Sequence, residues 1–189
     1  MTKLSQILIP MPASPVSHLK ILWNSSGMLS RIEWGSSGEE EPTLPSIPRA
    51  MAPPEQIHEL VSRLKEYFSS GRPWGSLPWE WVDQTEWTLF QHQVYSAITR
   101  IPHGETRTYG WVASRIGKAA ASRAVGQCLK KNPLPIFIPC HRVVGADSLG
   151  GFFGASDPSD PEMLLKQNLL NLEQSYANPL FDFVSVFAG

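Results

Sequence analysis

The sequence predicts an α+β protein: a small sheet-plus-helix unit, then a mostly helical unit of helix-turn-helix form. Three observations predict it. Two short apolar runs flank Asn-Ser-Ser-Gly at 24–27, which has the composition of a hairpin loop. Five apolar residues at helical spacing follow Pro53 and Pro54. From residue 83 onward apolar residues recur with a helical period until a proline-rich stretch at 133–139.

The hairpin is expected over 19–23 and 29–34. Residues 39–54 are acidic and rich in Pro, which reads as a loop. Pro53 and Pro54 open a helix through about residue 69, with Ile57, Leu60, Val61, Leu64 and Phe68 on one face and Gly71 beyond its end. Three Trp and two Pro without a clean period make 72–82 a linker. The expected division is therefore 1–82, 83–175 and a tail at 176–189.

In the second unit Phe90, Val94, Ala97 and Ile98 mark a helix face that ends at Ile101-Pro102-His103-Gly104. Thr108 can cap a short helix carrying Val112 and Ile116, which Gly117 would stop. A third helix is expected over 119–131, halted by Asn132-Pro133. Two short helices joined by a glycine turn have helix-turn-helix form. On the third, Ala121, Val125, Cys128 and Leu129 form the buried stripe, and Arg123, Gln127 and Lys130 a polar one. Ala119, Ser122 and Gly126 form a third stripe of very small residues, although a Gly inside a helix costs on the order of 1 kcal/mol relative to Ala. Either a neighbouring helix packs closely there or a ligand approaches the backbone.

Composition narrows the function. The 189 residues are 42% apolar and 17% charged, with 7 Trp and 8 Phe, which excludes a disordered or fibrous chain and supplies a core. No apolar stretch approaches the roughly 20 residues of a membrane span, and residues 1–15 lack the pattern of a signal peptide, so an intracellular protein is expected, cytoplasmic or nuclear. Two cysteines cannot build a disulfide framework, and they form no zinc pattern with the 5 histidines. Residues 98–145 hold eight basic side chains against the single acid Glu105, a local charge of +7. The rest of the chain carries −8, so a polyanion would be drawn to one segment.

Cys140 lies inside that segment. Pro133, Pro135 and Pro139 forbid a regular central strand, and 132–144 is expected to run extended at an edge, turning near Pro139. A lone Cys in an apolar run is ordinarily inert packing, which is the reading given to Cys128. At Cys140 the neighbours His141 and Arg142 supply a base and a positive charge, the two things that favour a thiolate. Adjacent residues of an extended chain point apart, so a turn or a bridging water would be needed to join His141 to the thiol.

Thr108-Tyr109-Gly110, Arg123-Ala124-Val125-Gly126, Asn132-Pro133-Leu134-Pro135-Ile136 and Ile138-Pro139-Cys140-His141-Arg142-Val143 resemble, in order and spacing, the 6-O-alkylguanine-DNA alkyltransferases. The resemblance covers about 88–173 at motif level; the first unit is similar only in its hairpin and helix. It implies a ribonuclease H-like first domain and a winged helix-turn-helix-like second one. It implies DNA repair by irreversible, single-turnover transfer of an alkyl group to Cys140, without metal or other cofactor, on double-stranded DNA and by a monomer that could act cooperatively. His141 would be the base, through a water, and Glu173 its orienter, the latter supported by Lys166-x-x-Leu169-Leu170-x-x-Glu173. Tyr109 would hold the flipped base and protonate it, Asn132 would fix the turn, and Arg123 would fill the gap in the stack. Ala119, Ser122, Gly126, Gln127 and Lys130 would meet the minor groove. Carbonyls of Cys140 and Val143 would select guanine, and Phe152 and Phe153 would line the alkyl pocket.

Departures from the family lie in 147–154, which is one residue short and carries Phe152 where Tyr is common and Phe153 where a small polar residue stands. Residues 156–161 resemble an insertion, and Phe181, Phe183, Val184, Val186 and Phe187 in the tail read only as packing or partner contact. Competing readings are a non-enzymatic lesion-binding protein, like the related alkyltransferase-like proteins that recognise alkylguanine without repairing it but carry Trp at the Cys position, and a transcriptional regulator using the same helix pair. A cysteine hydrolase would need an oxyanion hole for which the sequence holds no signature.

Overall fold

The computed structural model describes residues 4–10, 16–36, 53–73 and 75–177. The expected loop at 39–52 and the apolar tail at 181–187 lie outside the described residues. Strands β1 (Ser5–Pro10), β2 (Val16–Trp23) and β3 (Leu29–Ser36) form an antiparallel sheet in that order. β2 and β3 are the predicted hairpin. Asn24 closes it, its side-chain oxygen accepting the Ser26 and Met28 N–H groups and its amide donating to Asp83 at 2.9 Å. β1 is an addition to the sequence reading: Ile7, Leu8 and Ile9 are too short a run to show a period, and the strand exists because Ile7 pairs with Ile21 and Ile9 with Leu19.

Helix α1 (Glu55–Ser70) buries Ile57, Leu60, Leu64 and Tyr67, the aliphatic residues contributing roughly 2 kcal/mol each before entropy is charged. Gly71 ends it in the left-handed region at φ 69°, donating its N–H to the Tyr67 carbonyl. A β-carbon at Gly71 would lie 2.6 Å from the Leu172 carbonyl oxygen, so this end of α1 fits only against the last helix.

Residues 72–82 are not a free linker. Leu77 and Val82 are buried, Trp79–Trp81 make a 3-10 turn, and Val82 bridges to Leu29 of β3. Aromatic area explains the difference: Trp79 packs edge-on against Trp87 and is held by burial where the sequence shows no period.

Helix α2 (Leu89–Ile98) starts at a capping box, Thr88 with Gln91. β4 (Arg107–Thr108) leads into α3 (Tyr109–Arg115), and Thr108 caps α3 by accepting the Trp111 N–H at 3.1 Å. Gly117 at φ 72° turns the chain. The helix expected over 119–131 is shorter: Ala119–Ala121 form a 3-10 turn and α4 spans Ser122–Lys130. Coming straight out of the Gly117 turn without a capping side chain, the first residues take the tighter Ala121 N–H to Lys118 carbonyl bond.

The largest correction concerns 132–144. It does not run extended at an edge. Leu134, Ile136, Phe137, Ile138 and Cys140 are buried, Ile136 sits at φ 74°, and Cys140–Arg142 form a 3-10 turn before β5 (Val143–Val144) pairs in parallel with β4. Three prolines lower the number of N–H groups needing partners; those of Ile138, Cys140 and Arg142 go to the carbonyls of Leu134, Ile138 and Pro139, while the Asn132 oxygen accepts the Leu134 N–H at 3.0 Å and its amide donates to the Ile138 carbonyl at 2.7 Å. Helix α5 (Pro161–Ala177) closes the fold. Among the described residues no helix is long and apolar enough to cross a membrane.

Candidate active site

Cys140 sits at the first position of the 3-10 turn, 4% exposed, on the wall of a cavity of about 430 Å³. The second amide hydrogen of Asn132 points at its Sγ, 3.0 Å away. The residue that folds the segment therefore also fixes the sulfur. Burial pushes the Cys140 thiol up to about 11, while the Asn132 amide and the Lys166 charge pull the other way. Cys128, on the buried stripe of α4, is also pushed up by burial to about 11, against the pull of the Tyr95 hydroxyl and the Lys131 charge; what separates it from Cys140 is that it does not line the cavity.

His141 is wholly buried, and its Nε2 lies 2.8 Å from Glu173 Oε1. Glu173 is ionised: although burial alone would raise its carboxyl, His141 and Arg142 hold it far below the usual carboxylate range. An ionised carboxylate accepts, so Nε2 carries the proton and Nδ1 is left as a bare lone pair with no protein partner. Burial holds the imidazolium form down against the opposing pull of Glu173, so His141 rests neutral and able to accept a proton. Carboxylate, oriented imidazole and thiol are the parts of a nucleophile-activation relay.

Glu173 is held from every side. Oε1 also accepts the Tyr67 hydroxyl at 2.9 Å and Arg142 Nη2 at 2.9 Å, and Oε2 accepts Arg142 Nε at 2.8 Å and the Gly104 N–H at 3.0 Å. Arg142 spends its remaining arm on the Ile101 carbonyl at 2.8 Å. The ammonium of Lys166 is equally enclosed, donating to the carbonyls of Val143 at 2.7 Å, Leu149 at 2.6 Å and Gly151 at 3.2 Å. Burial lowers Lys166 to about 8. It thereby ties the loop 145–155 to the strand that follows Cys140.

The sequence-predicted residues fall into two groups. Cys140, Tyr109, Ser122, Arg123, Gly126, Gln127, Lys130, Phe152 and Phe153 all line the one cavity. Arg123, Gln127 and Lys130 are exposed at its mouth on α4, and the Tyr109 ring lies against Gly126. The small-residue stripe thus forms the cavity wall in its second and third members. Ala119 is exposed in the preceding turn, outside the cavity. Val143 does not line the cavity either: it is fully buried, and its carbonyl accepts the Lys166 ammonium with one of its two lone pairs. Asn132, His141 and Glu173 stand behind the sulfur. The Tyr109 hydroxyl donates to the Gly151 carbonyl at 3.1 Å, and a base that is to receive that hydrogen bond must take it from Gly151.

Four roles are absent from the sequence reading: Tyr67, Gly104, Arg142 as an anchor, and Lys166 as a loop tie, the last entering there only as a member of the motif that points to Glu173. Tyr67 shares the apolar stripe of α1 at three residues from Leu64, and Lys166 falls seven residues before Glu173 among leucines. A polar side chain on a buried face is the signal that could have found both. Gly104 contributes only its backbone and leaves no such signal.

The family model for the 6-O-methylguanine DNA methyltransferase DNA-binding domain matches residues 89–175. A constitutive methylated-DNA–protein-cysteine methyltransferase of Bacillus subtilis is 43% identical over 119 residues, 62% of this chain and 66% of that protein. A methylated-DNA–protein-cysteine methyltransferase of Methanosarcina barkeri is 46% identical over 121 residues, 63% of this chain and 69% of its own length. The match thus spans just under two thirds of the Bacillus relative, and 54% of a Methanosarcina acetivorans one. The crystal structure of Mycobacterium tuberculosis OGT in complex with DNA superposes with a TM-score of 0.64 at 30% identity, covering 89% of this chain and 92% of that one.

Proposed function

The chain belongs to the methylated-DNA–protein-cysteine methyltransferase family, and on that premise we propose that it repairs 6-O-alkylguanine in DNA by moving the alkyl group onto Cys140. The observation that carries the reading is the sulfur itself: it opens on a cavity, is held by Asn132, and is backed by a His141–Glu173 pair whose free ring nitrogen can accept a proton.

The steps follow from the groups present. The alkyl carbon of 6-O-alkylguanine is out of reach inside a duplex, so the nucleotide is extruded, at a cost of a few kcal/mol that is least for a poorly paired base. Arg123, exposed at the cavity mouth, enters the vacated place in the stack, and Gln127 and Lys130 meet the backbone in the minor groove. The flipped base displaces the Gly151 carbonyl from the Tyr109 hydroxyl. The thiol proton passes by a water to His141, whose positive charge Glu173 balances. Sulfur then attacks the alkyl carbon; the S–C bond forms, the C–O bond breaks, and the electron pair returns to guanine, which is protonated with Tyr109 as donor. Tyr109 recovers the proton held by His141 through solvent. A thioether has no path back, so each molecule acts once and needs no cofactor.

The test is to mix the protein with an oligonucleotide duplex bearing 6-O-methylguanine and to read intact mass and the modified peptide. One methyl per molecule on Cys140 is expected, and Cys140→Ala should bind the duplex without accepting it. Repeated turnover, or a methyl on Cys128, would overturn the mechanism.

A further inference from the structure

The cavity beside Cys140 shares a wall with a second, larger space. That space, about 830 Å³, runs under β3 and is lined by Arg31, Trp34, Lys131 and Pro133 among others. Lys130 and Phe153 border both. The stem of Lys130 lies across Gly154, where a β-carbon would fall 2.6 Å from Lys130 Cε, and the Phe153 ring stands beside it.

Phe153 is held there against its backbone preference. Phe152 and Ala155 exchange both backbone hydrogen bonds, at 3.0 and 2.9 Å, and the two residues between them, Phe153 at φ 49° and Gly154 at φ 101°, both have positive φ. That is a two-residue turn of the kind that selects Asn, Asp or Gly, because a side chain in the left-handed region costs roughly 1–2 kcal/mol. A bulky ring persists in such a place only when its surroundings over-determine it. Here they do: the Phe153 ring is 4.3 Å from that of Phe152, which lines the Cys140 cavity, and 6.4 Å from that of Trp34 in β3. Trp34 in turn meets Phe68 of α1 edge-on at 6.4 Å. The ring is thus braced from the first unit and faces the alkyl site.

From this we infer that Phe153 is the specificity-determining residue for alkyl size: its ring partitions the Cys140 cavity from the space under β3 and restricts the protein to short alkyl groups. The inference rests on the alkyl-transfer reading. Removing the ring joins the two spaces, so an n-butyl chain that the native wall obstructs can extend through.

The experiment measures, in one preparation of each protein, the rates at which Cys140 accepts methyl and n-butyl from duplexes bearing 6-O-methylguanine or 6-O-n-butylguanine. The butyl-to-methyl ratio is independent of the active fraction, so partial misfolding does not mimic the effect. Phe153→Ala should raise that ratio at least tenfold, since each methylene that a pocket admits or rejects is worth about 10–200-fold in rate. Phe153→Gly, which also relieves the left-handed backbone, should raise it as much. An unchanged ratio in both variants, with native protein accepting methyl, would overturn the partition alone. Failure of native protein to accept methyl would take down the transfer reading and this inference with it.

Discussion

Glu173→Gln separates the anchoring role of this carboxylate from shape, because the substitution keeps volume and removes charge. The native side chain accepts five hydrogen bonds, three at Oε1 and two at Oε2. If the amide oxygen takes the Oε1 place, its NH2 faces two donors, Gly104 N–H and Arg142 Nε; the other rotamer sets it against three. Arg142, only 7% exposed, also loses its counter-charge. Removing one partner of a buried pair costs about 3–5 kcal/mol, and each buried donor left unmade about 1–3 kcal/mol, but the terms overlap. About 4 kcal/mol is expected, which at roughly 2–4 °C per kcal/mol for this size lowers Tm by about 8–16 °C. Urea unfolding at pH 7 reads it directly. The pH dependence adds a sign: a depressed folded-state pKa gives stability that is complete above the unfolded value of about 4.3 and is lost as pH falls toward the folded one. The gap between native protein and variant should therefore close steadily below about pH 5. A loss under about 1 kcal/mol at pH 7, or a gap indifferent to acid, would refute the anchoring argument.

Two further outcomes follow from the neighbours of the sulfur. Lys166→Met removes the charge that favours the thiolate and the ammonium that bonds the carbonyls of Val143, Leu149 and Gly151, so modification of Cys140 by iodoacetamide at pH 7, where Lys166 is charged, should slow several-fold and methyl transfer about tenfold or more, measured by mass. Asn132→Ala strands the Leu134 N–H and leaves the Ile138 carbonyl with only the Cys140 N–H, and should cost about 1–3 kcal/mol in urea unfolding while raising the thiol further, seen as slower iodoacetamide modification at every pH.

What could be read from the sequence was what repeats or what is chemically conspicuous. Ile57, Leu60 and Leu64, or Val125, Cys128 and Leu129, declare a buried helix face by spacing alone. Cys140 beside His141 declared a reactive centre, and the motif resemblance supplied Glu173 and Asn132, which stand 33 and 8 residues away from the sulfur in opposite directions along the chain. The conformation of 132–142 is not legible, because no period describes a segment held by irregular turn bonds and one side chain; an Asn-Pro reads as a stop and gives no hint that the same Asn donates to a thiol eight residues on. Nothing at Val143 in the sequence shows that its side chain is fully buried away from the cavity and that its carbonyl accepts Lys166 from another helix. β1 and the packed 72–82 segment were missed for a related reason, since both exist through partners remote in sequence.

The first unit reaches the site twice, and both contacts constrain how the chemistry is supported. The family model matches only 89–175, yet the Tyr67 hydroxyl of α1 donates to the carboxylate that orients His141, and the Trp34 ring of β3 braces the Phe153 wall. Burial and the adjacent Glu173 charge raise the Tyr67 phenol well above its ordinary value, so it remains a donor throughout the pH range in which the carboxylate is ionised. One contact is polar and ends on the carboxylate bonded to His141; the other is aromatic and ends on a side chain that lines the Cys140 cavity. A sheet and helix outside the matched 89–175 therefore still touch the candidate site, through a hydroxyl and an indole. Changes at Tyr67 should show in the pH dependence of transfer, and changes at Trp34 in the choice among alkyl groups, because the two side chains end on different parts of the same centre.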